Sequence, residues 1–337
     1  ARPDLRPWSA CRFGCRMDRH PSGCDVTLLW TVALVAGIVV AAAACRRAVG
    51  AALVASAASG LPTAIVGLTV VAVGTDLPEI ANSISAAVAG QGDINVGNAT
   101  GSAMTQVTLV LALLCLATPS LRADRFTVVA VGGGTTLVLL VDAWFVRDEL
   151  LSRPEGAALV AGWIALMAVM IRFRSSMLGD EPEVSRPVVP ARDVAGRNHP
   201  VAKKSGSIAV AWRTVVAAAA MIVVESFVRT TDALGVPPLI ASAVVLALGT
   251  SLPELIVDLT AVRSGAVALA VGELFGSSLV DSSLALGIGP AIRSTVVSTG
   301  ATTACMIAAA GVLGATVVAG SRRIHSSRSA VPLLVIY

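Results

Sequence analysis

Gly74-Thr75-Asp76-Leu77-Pro78-Glu79 lies inside one apolar run, and Gly249-Thr250-Ser251-Leu252-Pro253-Glu254 lies inside another, 175 residues later. The same offset pairs Gly60 with Gly235, Pro62 with Pro237, Gly97 with Gly272, Gly101-Ser102 with Gly276-Ser277 and Arg153 with Arg328. A register held over that distance means duplication, so the chain has to fold as two copies of one unit. Each copy buries a glutamate in a hydrophobic segment broken by proline at the same point. A charge there is costly unless it has a role, and paired interrupted helices in corresponding halves point to a transport site.

Hydrophobic residues make up 55% of the 337 and charged residues 14%, too few charges to cover a soluble protein of this size. The composition is that of an all-α polytopic membrane protein. A span needs about 20 mainly apolar residues. Such segments lie near 26–45, 62–88, 95–118, 126–146 and 155–172, and again near 207–228, 237–262, 266–291 and 295–319. A tenth begins near 329 and runs to Tyr337, which the offset matches to the middle of the fifth helix, so the native tenth helix is expected to continue past this chain. The expected organisation is a leader over 1–25, a first five-helix repeat over 26–173, a polar linker over 174–206 and a second five-helix repeat over 207–337 with an incomplete last helix. The leader is Arg-rich, contains prolines and resembles nothing in the second half; a mis-assigned gene end is its expected origin.

The larger share of the 25 Lys and Arg residues falls on the side that holds the loops after helices 1, 3, 5, 7 and 9. The positive-inside rule makes that side cytoplasmic and puts the amino terminus outside, with a bacterial plasma membrane as the expected location. Basic residues that report topology are no sign of nucleic acid. Five helices per half is an odd number, so the two copies enter the membrane in opposite directions and form an inverted repeat. The linker mixes acids, bases and four prolines, a solvated tether rather than a folded module.

Proline 78 removes an N–H and frees the carbonyl of Gly74, as Pro253 does for Gly249. Freed carbonyls in hydrocarbon need a polar cavity or a partner. Thr75 and Glu79 are four residues apart and share a helix face, as do Thr250 and Glu254. If the two faces meet, two carboxylates and two threonines surround one point. That is an all-oxygen set suited to a hard divalent cation, with no thiolate or imidazole to favour zinc or copper. The next helix in each half adds a polar stripe at intervals of four, Asn98, Ser102 and Gln106 matched by Glu273, Ser277 and Asp281. Such a stripe should face the bundle interior.

Several weaker patterns carry little. Cys11, Cys15, His20 and Cys24 lack a second CxxC pair, and Cys45, Cys115 and Cys305 lie in apolar runs as small hydrophobes. Gly132-Gly133-Gly134 suits helix packing. Gly90-Gln91-Gly92-Asp93 matches the GxGD pattern of intramembrane aspartyl proteases, but Asp93 is expected in the connection after helix 2 and has no Tyr-Asp partner, the only tyrosine being Tyr337. A passive cation channel would also use carbonyls and acids; paired broken helices in an inverted duplication favour a carrier.

The segments Gly67-Leu68-Thr69-Val70-Val71-Ala72-Val73-Gly74-Thr75 through Glu79, Gly97-Asn98-Ala99-Thr100-Gly101-Ser102, and their partners ending in Gly276-Ser277-Ser278-Leu279-Val280-Asp281 resemble the two alpha repeats of the sodium/calcium exchangers of the calcium/cation antiporter superfamily. The likeness covers nearly the whole chain apart from leader and linker. It implies an antiporter that exports Ca2+ in exchange for Na+ by alternating access, and no enzyme, cofactor or nucleic-acid partner. It also implies a calcium site from Glu79, Glu254, Thr75 and Thr250, flanked by sodium sites using Ser102, Ser277 and the backbone near Ala72 and Ala247. Two positions depart from the family pattern. Asp76 stands where serine is usual, as Ser251 does in the other half, and Gln106 stands where asparagine is common opposite Asp281. With Asp76, Glu79, Glu254 and Asp281 near one low-dielectric point, protons are expected to compete with calcium, which opens H+ or K+ as the coupling ion.

Overall fold

The computed structural model describes residues 67–118, 121–122, 125–172, 235–263, 267–321 and 324–337, together with Val32, Ala36, Ile65 and Phe227. Apart from Val32, Ala36 and Phe227, the spans expected near 26–45 and 207–228, the leader with its Cys/His residues, Cys45 and the linker lie outside the described residues.

The first half opens with a π-helical turn, Gly67–Val71, that runs into α1 (Ala72–Thr75). After a break at Asp76 follow α2 (Leu77–Ala89) and α3 (Gly92–Thr105), a second π turn (Gln106–Val110) and α4 (Leu111–Ala117). Then come β1 (Leu121–Arg122), α5 (Arg125–Phe145), a 3-10 turn (Val146–Asp148), β2 (Leu150–Leu151) and α6 (Arg153–Arg172). The second half has α7 (Pro238–Ala241), a π turn (Ser242–Leu246), α8 (Ala247–Thr250), a break at Ser251, α9 (Leu252–Arg263) and α10 (Val267–Val280). A fourth π turn (Asp281–Ala285), α11 (Leu286–Ile292), β3 (Thr295–Val296), α12 (Gly300–Gly320), β4 (Ile324–His325) and α13 (Ser327–Ile336) complete it.

Each π turn falls 175 residues from its counterpart, and so do α1 and α8, α3 and α10, α4 and α11, α5 and α12. The duplication inferred from a few motif residues therefore governs the backbone residue by residue. Strand pairing exchanges between the halves: β1 pairs antiparallel with β4, and β2 with β3. A two-fold relation between the repeats requires that exchange.

Six described helices are long and apolar enough to cross a membrane: Gly92–Ala117, Thr127–Asp148, Arg153–Met170, Pro238–Arg263, Val267–Ile292 and Gly300–Gly320. Their burial differs sharply. The Val267–Ile292 span is 89% buried and Gly92–Ala117 72%, against 17% for Arg153–Met170, so α3 with α4 and α10 with α11 form the inside of the bundle and α6 its periphery. Outward-facing residues such as Leu137, Trp144, Ile164, Val245, Ile307 and Val317 are apolar and exposed, a surface that lipid rather than water would cover.

Close approach explains the paired glycines. A Cβ at Gly101 would run into the backbone of Ala243 in the π turn before α8, and one at Gly276 into the backbone of Leu68 in the π turn before α1. Each inner helix thus packs its Gly-Ser motif against the interrupted helix of the other repeat, as small residues in membrane helices permit.

Two expectations need correction. The ninth span, expected from 295, begins at Gly300, because the β-branched Thr295 and Val296 extend into β3 and pair with β2. Asp93, expected in the connection after helix 2, lies in the first turn of α3, where its Oδ1 accepts the Ser298 N–H at 2.7 Å. That carboxylate ties the two halves together.

Candidate functional site

The two breaks put the site residues in place. Asp76 leaves helical geometry with φ −81° and ψ 10°, and Ser251 does so with φ −79° and ψ 1°. Proline is the second residue of both α2 and α9, inside a first turn where its missing N–H does no harm. The helix restarts at once, and Glu79 and Glu254 fall in its first turn, where free N–H groups favour a negative charge. Sequence spacing therefore aims both glutamates at the gap that the breaks create.

The gap is shared. Asp76, Glu79 and Glu254 each offer a carboxylate oxygen within 4.8 Å of the other two, and all three residues are buried. Thr75 Oγ1 lies 2.9 Å from Glu273 Oε1 and 3.5 Å from Ser277 Oγ, with the Val71 and Ala72 carbonyls at 3.1 and 3.0 Å. Across the site Thr250 Oγ1 lies 3.3 Å from Asn98 Oδ1 and 3.4 Å from Ser102 Oγ, with the Leu246 and Ala247 carbonyls at 3.1 and 3.3 Å. Each threonine thus reaches the polar stripe of the other repeat at corresponding positions. The backbone oxygens of Ala72 and Ala247 accept the N–H groups of Asp76 and Ser251 at 2.9 and 3.0 Å, and they also lie 3.0 and 3.3 Å from the hydroxyls of Thr75 and Thr250.

Gln106 and Asp281 open the π turns that follow α3 and α10. Such turns are rare and collect at functional sites, where the extra residue re-aims side chains. Both residues are buried; Gln106 Oε1 and both oxygens of Asp281 accept no hydrogen bond. Ser251 Oγ is likewise unpartnered, while Asp76 lies beside Ser277 and Glu254, and Glu79 beside Thr250. All twelve expected site residues, Ala72, Thr75, Asp76, Glu79, Ser102, Gln106, Ala247, Thr250, Ser251, Glu254, Ser277 and Asp281, belong to the interrupted segments or to the inner helices packed on them.

Three acids were outside that set. Glu273 belongs to the polar stripe, and its contact with Thr75 brings it to the site. Asp258 is wholly buried beside Glu273; its position four residues after Glu254, on the same helix face, is the signal that could have found it. Asp142, buried in α5 near Cys305, has no repeat partner or motif to mark it.

No basic group balances these charges among the described residues. Arg125, Arg147, Arg153, Arg172, Arg263, Arg293 and Arg328 are all exposed. A buried carboxylate without a partner is destabilising by several kcal/mol, roughly, so the cluster has to hold cations or protons. Its donors are all oxygen, which suits hard cations.

The chain is similar to several known membrane proteins. The inner membrane protein YrbG of Escherichia coli K12 is 30% identical over 272 residues, covering 77% of this chain and 79% of that protein. The sodium/calcium exchanger MaX1 of Methanosarcina acetivorans is 26% identical over 264 residues, covering 68% and 73%. In fold, the chain is similar to the sodium-calcium exchanger NCX_Mj soaked with Na+ and Sr2+, with a TM-score of 0.58, 21% identity and coverage of 94% of this chain and 96% of that one. The model of the family described as sodium/calcium exchanger protein matches residues 29–172 and 207–337, one stretch for each repeat. With that model matched over both repeats, the chain belongs to the sodium/calcium exchanger protein family.

Proposed function

We propose that this protein is a secondary active antiporter that exports Ca2+ in exchange for Na+ or H+. The observation that carries this reading is the meeting of Asp76, Glu79 and Glu254 within 4.8 Å, buried and, among the described residues, with no cationic side chain to pair with. Glu79 and Glu254 neutralise the divalent ion, and the oxygens of Thr75 and Thr250 complete its shell. Ser102, Ser277 and the carbonyls of Ala72 and Ala247 hold the monovalent ions that compete with it, with Gln106, Asp281 and Ser251 at the margins of the same space. Calcium and the coupling ions cannot occupy overlapping oxygens together, so the entry of one at one membrane face drives the other out at the opposite face. Alternating access needs two equivalent half-channels, which a two-fold related pair of five-helix halves, inverted in the membrane, supplies.

In this arrangement about ten helices span the membrane, the amino terminus is outside, and the linker over 174–206 is cytoplasmic. The relative MaX1 bears the name of a sodium/calcium exchanger, which supports Na+ as the counter-ion. Asp76, in place of the usual serine, supports H+ as the second reading, because an extra carboxylate gives protons a place to compete. Calcium uptake into proteoliposomes under a sodium, potassium or proton gradient imposed alone separates the two readings. One gradient should drive accumulation; uptake that needs no counter-ion and does not saturate overturns the carrier in favour of a channel.

A further inference from the structure

Pro290 stands inside α11 without an N–H, so the Leu286 carbonyl four residues earlier loses its helix partner. In an apolar bundle that oxygen needs another donor. Asn95, in the first turn of α3, supplies one: its Nδ2 donates to the Leu286 carbonyl at 3.0 Å. One residue before the proline, the Gly289 N–H donates to Ser83 Oγ of α2 at 3.1 Å. Just past α11, Arg293 Nη1 donates to the Val88 carbonyl of α2 at 2.6 Å, and the Ser298 N–H donates to Asp93. Glycine permits the approach. A Cβ at Gly289 would run into the main chain of Ser83, and one at Gly156 of α6 into the main chain of α11. Four hydrogen bonds thus tie α2 and α3 to α11 and the segment after it, all toward the membrane face that carries the β2–β3 pair.

The other copy lacks these groups. At the 175-residue offset stand Ala268 for Asp93, Ala270 for Asn95, Leu114 for Gly289, Cys115 for Pro290 and Thr118 for Arg293. Alanine cannot bond across the interface, and a leucine side chain fills the space that bare Gly289 leaves to the facing helix. We infer that Asn95, with Ser83 and Arg293, latches the β2–β3 face shut, so that the site opens first at the face carrying β1 and β4. Asn95 is a positioning residue, its amide committed to Leu286 rather than to an ion. The latch presupposes the alternating access proposed above, whatever the ion. In the orientation given there the unlatched face is cytoplasmic, where calcium for export enters.

Thiol labelling of the full chain in sealed vesicles of either orientation, with the six native cysteines replaced, tests it. One reporter is Asn82→Cys, three residues after Glu79 on α2; the other is its repeat partner, Val257→Cys on α9. An impermeant reagent should modify Val257→Cys from the β1–β4 face and leave Asn82→Cys unmodified from the β2–β3 face. Asn95→Ala combined with Pro290→Ala removes the tie and gives the Leu286 carbonyl back its helix N–H, so the fold is kept. In that variant labelling of Asn82→Cys should rise and that of Val257→Cys fall, each by about fivefold, the weight of one hydrogen bond in a two-state balance. Asn95→Ala alone leaves the carbonyl bare and should lower the unfolding temperature, which adding Pro290→Ala restores. A rise at both reporters means general loosening, and unchanged rates mean that Asn95 acts only within the fold; either overturns the latch. Equal labelling of the two reporters before any latch substitution overturns it as well. Labelling needs no calcium, so a protein that fails to carry calcium overturns the proposed function while the reporters still decide the latch.

Discussion

Thr75 and Thr250 occupy the same position in the two repeats, four residues before Glu79 and Glu254, yet their hydroxyls meet different chemistry. The nearest acceptor of Thr75 is a carboxylate, Glu273 Oε1 at 2.9 Å, whereas Thr250 lies nearest the Leu246 carbonyl at 3.1 Å, with the Asn98 amide oxygen at 3.3 Å and the Ser102 hydroxyl at 3.4 Å across the interface. A hydroxyl has one proton to give, so Thr75 is drawn toward the other repeat and Thr250 toward its own helix. The two copies have kept their backbone and their glutamates and have diverged in the charge around them. Backbone breaks and close helix contacts tolerate little change, because a Cβ at Gly101 or Gly276 collides with main chain. The polar positions lining the gap differ between the repeats, with Asp76, Glu273 and Asp281 opposite Ser251, Asn98 and Gln106.

The shared glutamates give the most severe way to test what the halves have in common. Glu79→Gln and Glu254→Gln should each reduce calcium transport to near background while the protein stays folded and inserted, and the two losses should be alike. Uptake in proteoliposomes measures this; one variant with wild-type rates would show that the pair does not act as a unit.

Packing provides a second test of equivalence. Gly101→Ala and Gly276→Ala each force a methyl group against backbone of the opposite repeat, which should destabilise by about 1–3 kcal/mol. Thermal unfolding in detergent should register similar drops for both. Unequal drops would mean that the two-fold relation is looser at one end.

The threonines sharpen the difference. Removing a hydrogen bond to a charged group costs about 1.5–3 kcal/mol, against about 1 kcal/mol for a neutral one, so Thr75→Ala should weaken calcium binding more than Thr250→Ala. Titration of calcium into both variants decides it, and equal effects would place Glu273 outside the binding equilibrium.

Asp76→Ser makes the first break match the second and should have the smallest effect on rate. In the proposed site protons would compete with calcium for the same oxygens, so apparent calcium affinity should fall as pH falls in the wild type. Removing one carboxylate should flatten that dependence and move coupling toward sodium. An unchanged pH profile and ion preference in Asp76→Ser would favour the ordinary sodium-coupled exchange.

Much of this was legible before any coordinates. The motif pair around Pro78 and Pro253 marked the duplication, the breaks and the first-turn glutamates, since proline chemistry is local and acts the same way wherever the residue stands. The polar stripes were legible from intervals of four. The π turns at Gly67–Val71, Gln106–Val110, Ser242–Leu246 and Asp281–Ala285 were not, because one extra residue per turn leaves the apolar pattern almost unchanged over five residues. Asp142 was missed for lack of any pattern around it. Asp258 was overlooked beside a stronger motif.

By itself the sequence determined a membrane protein of two like halves, each with a broken helix carrying a glutamate, because hydropathy, repeat register and proline's missing N–H are properties of residues in order along the chain. The tertiary structure decided which oxygens face each other. Thr75 and Glu273 are 198 residues apart, and they meet only because Gly276 lets α10 close onto the segment before α1. That contact depends on the three-dimensional fit of two backbones. No local periodicity encodes it.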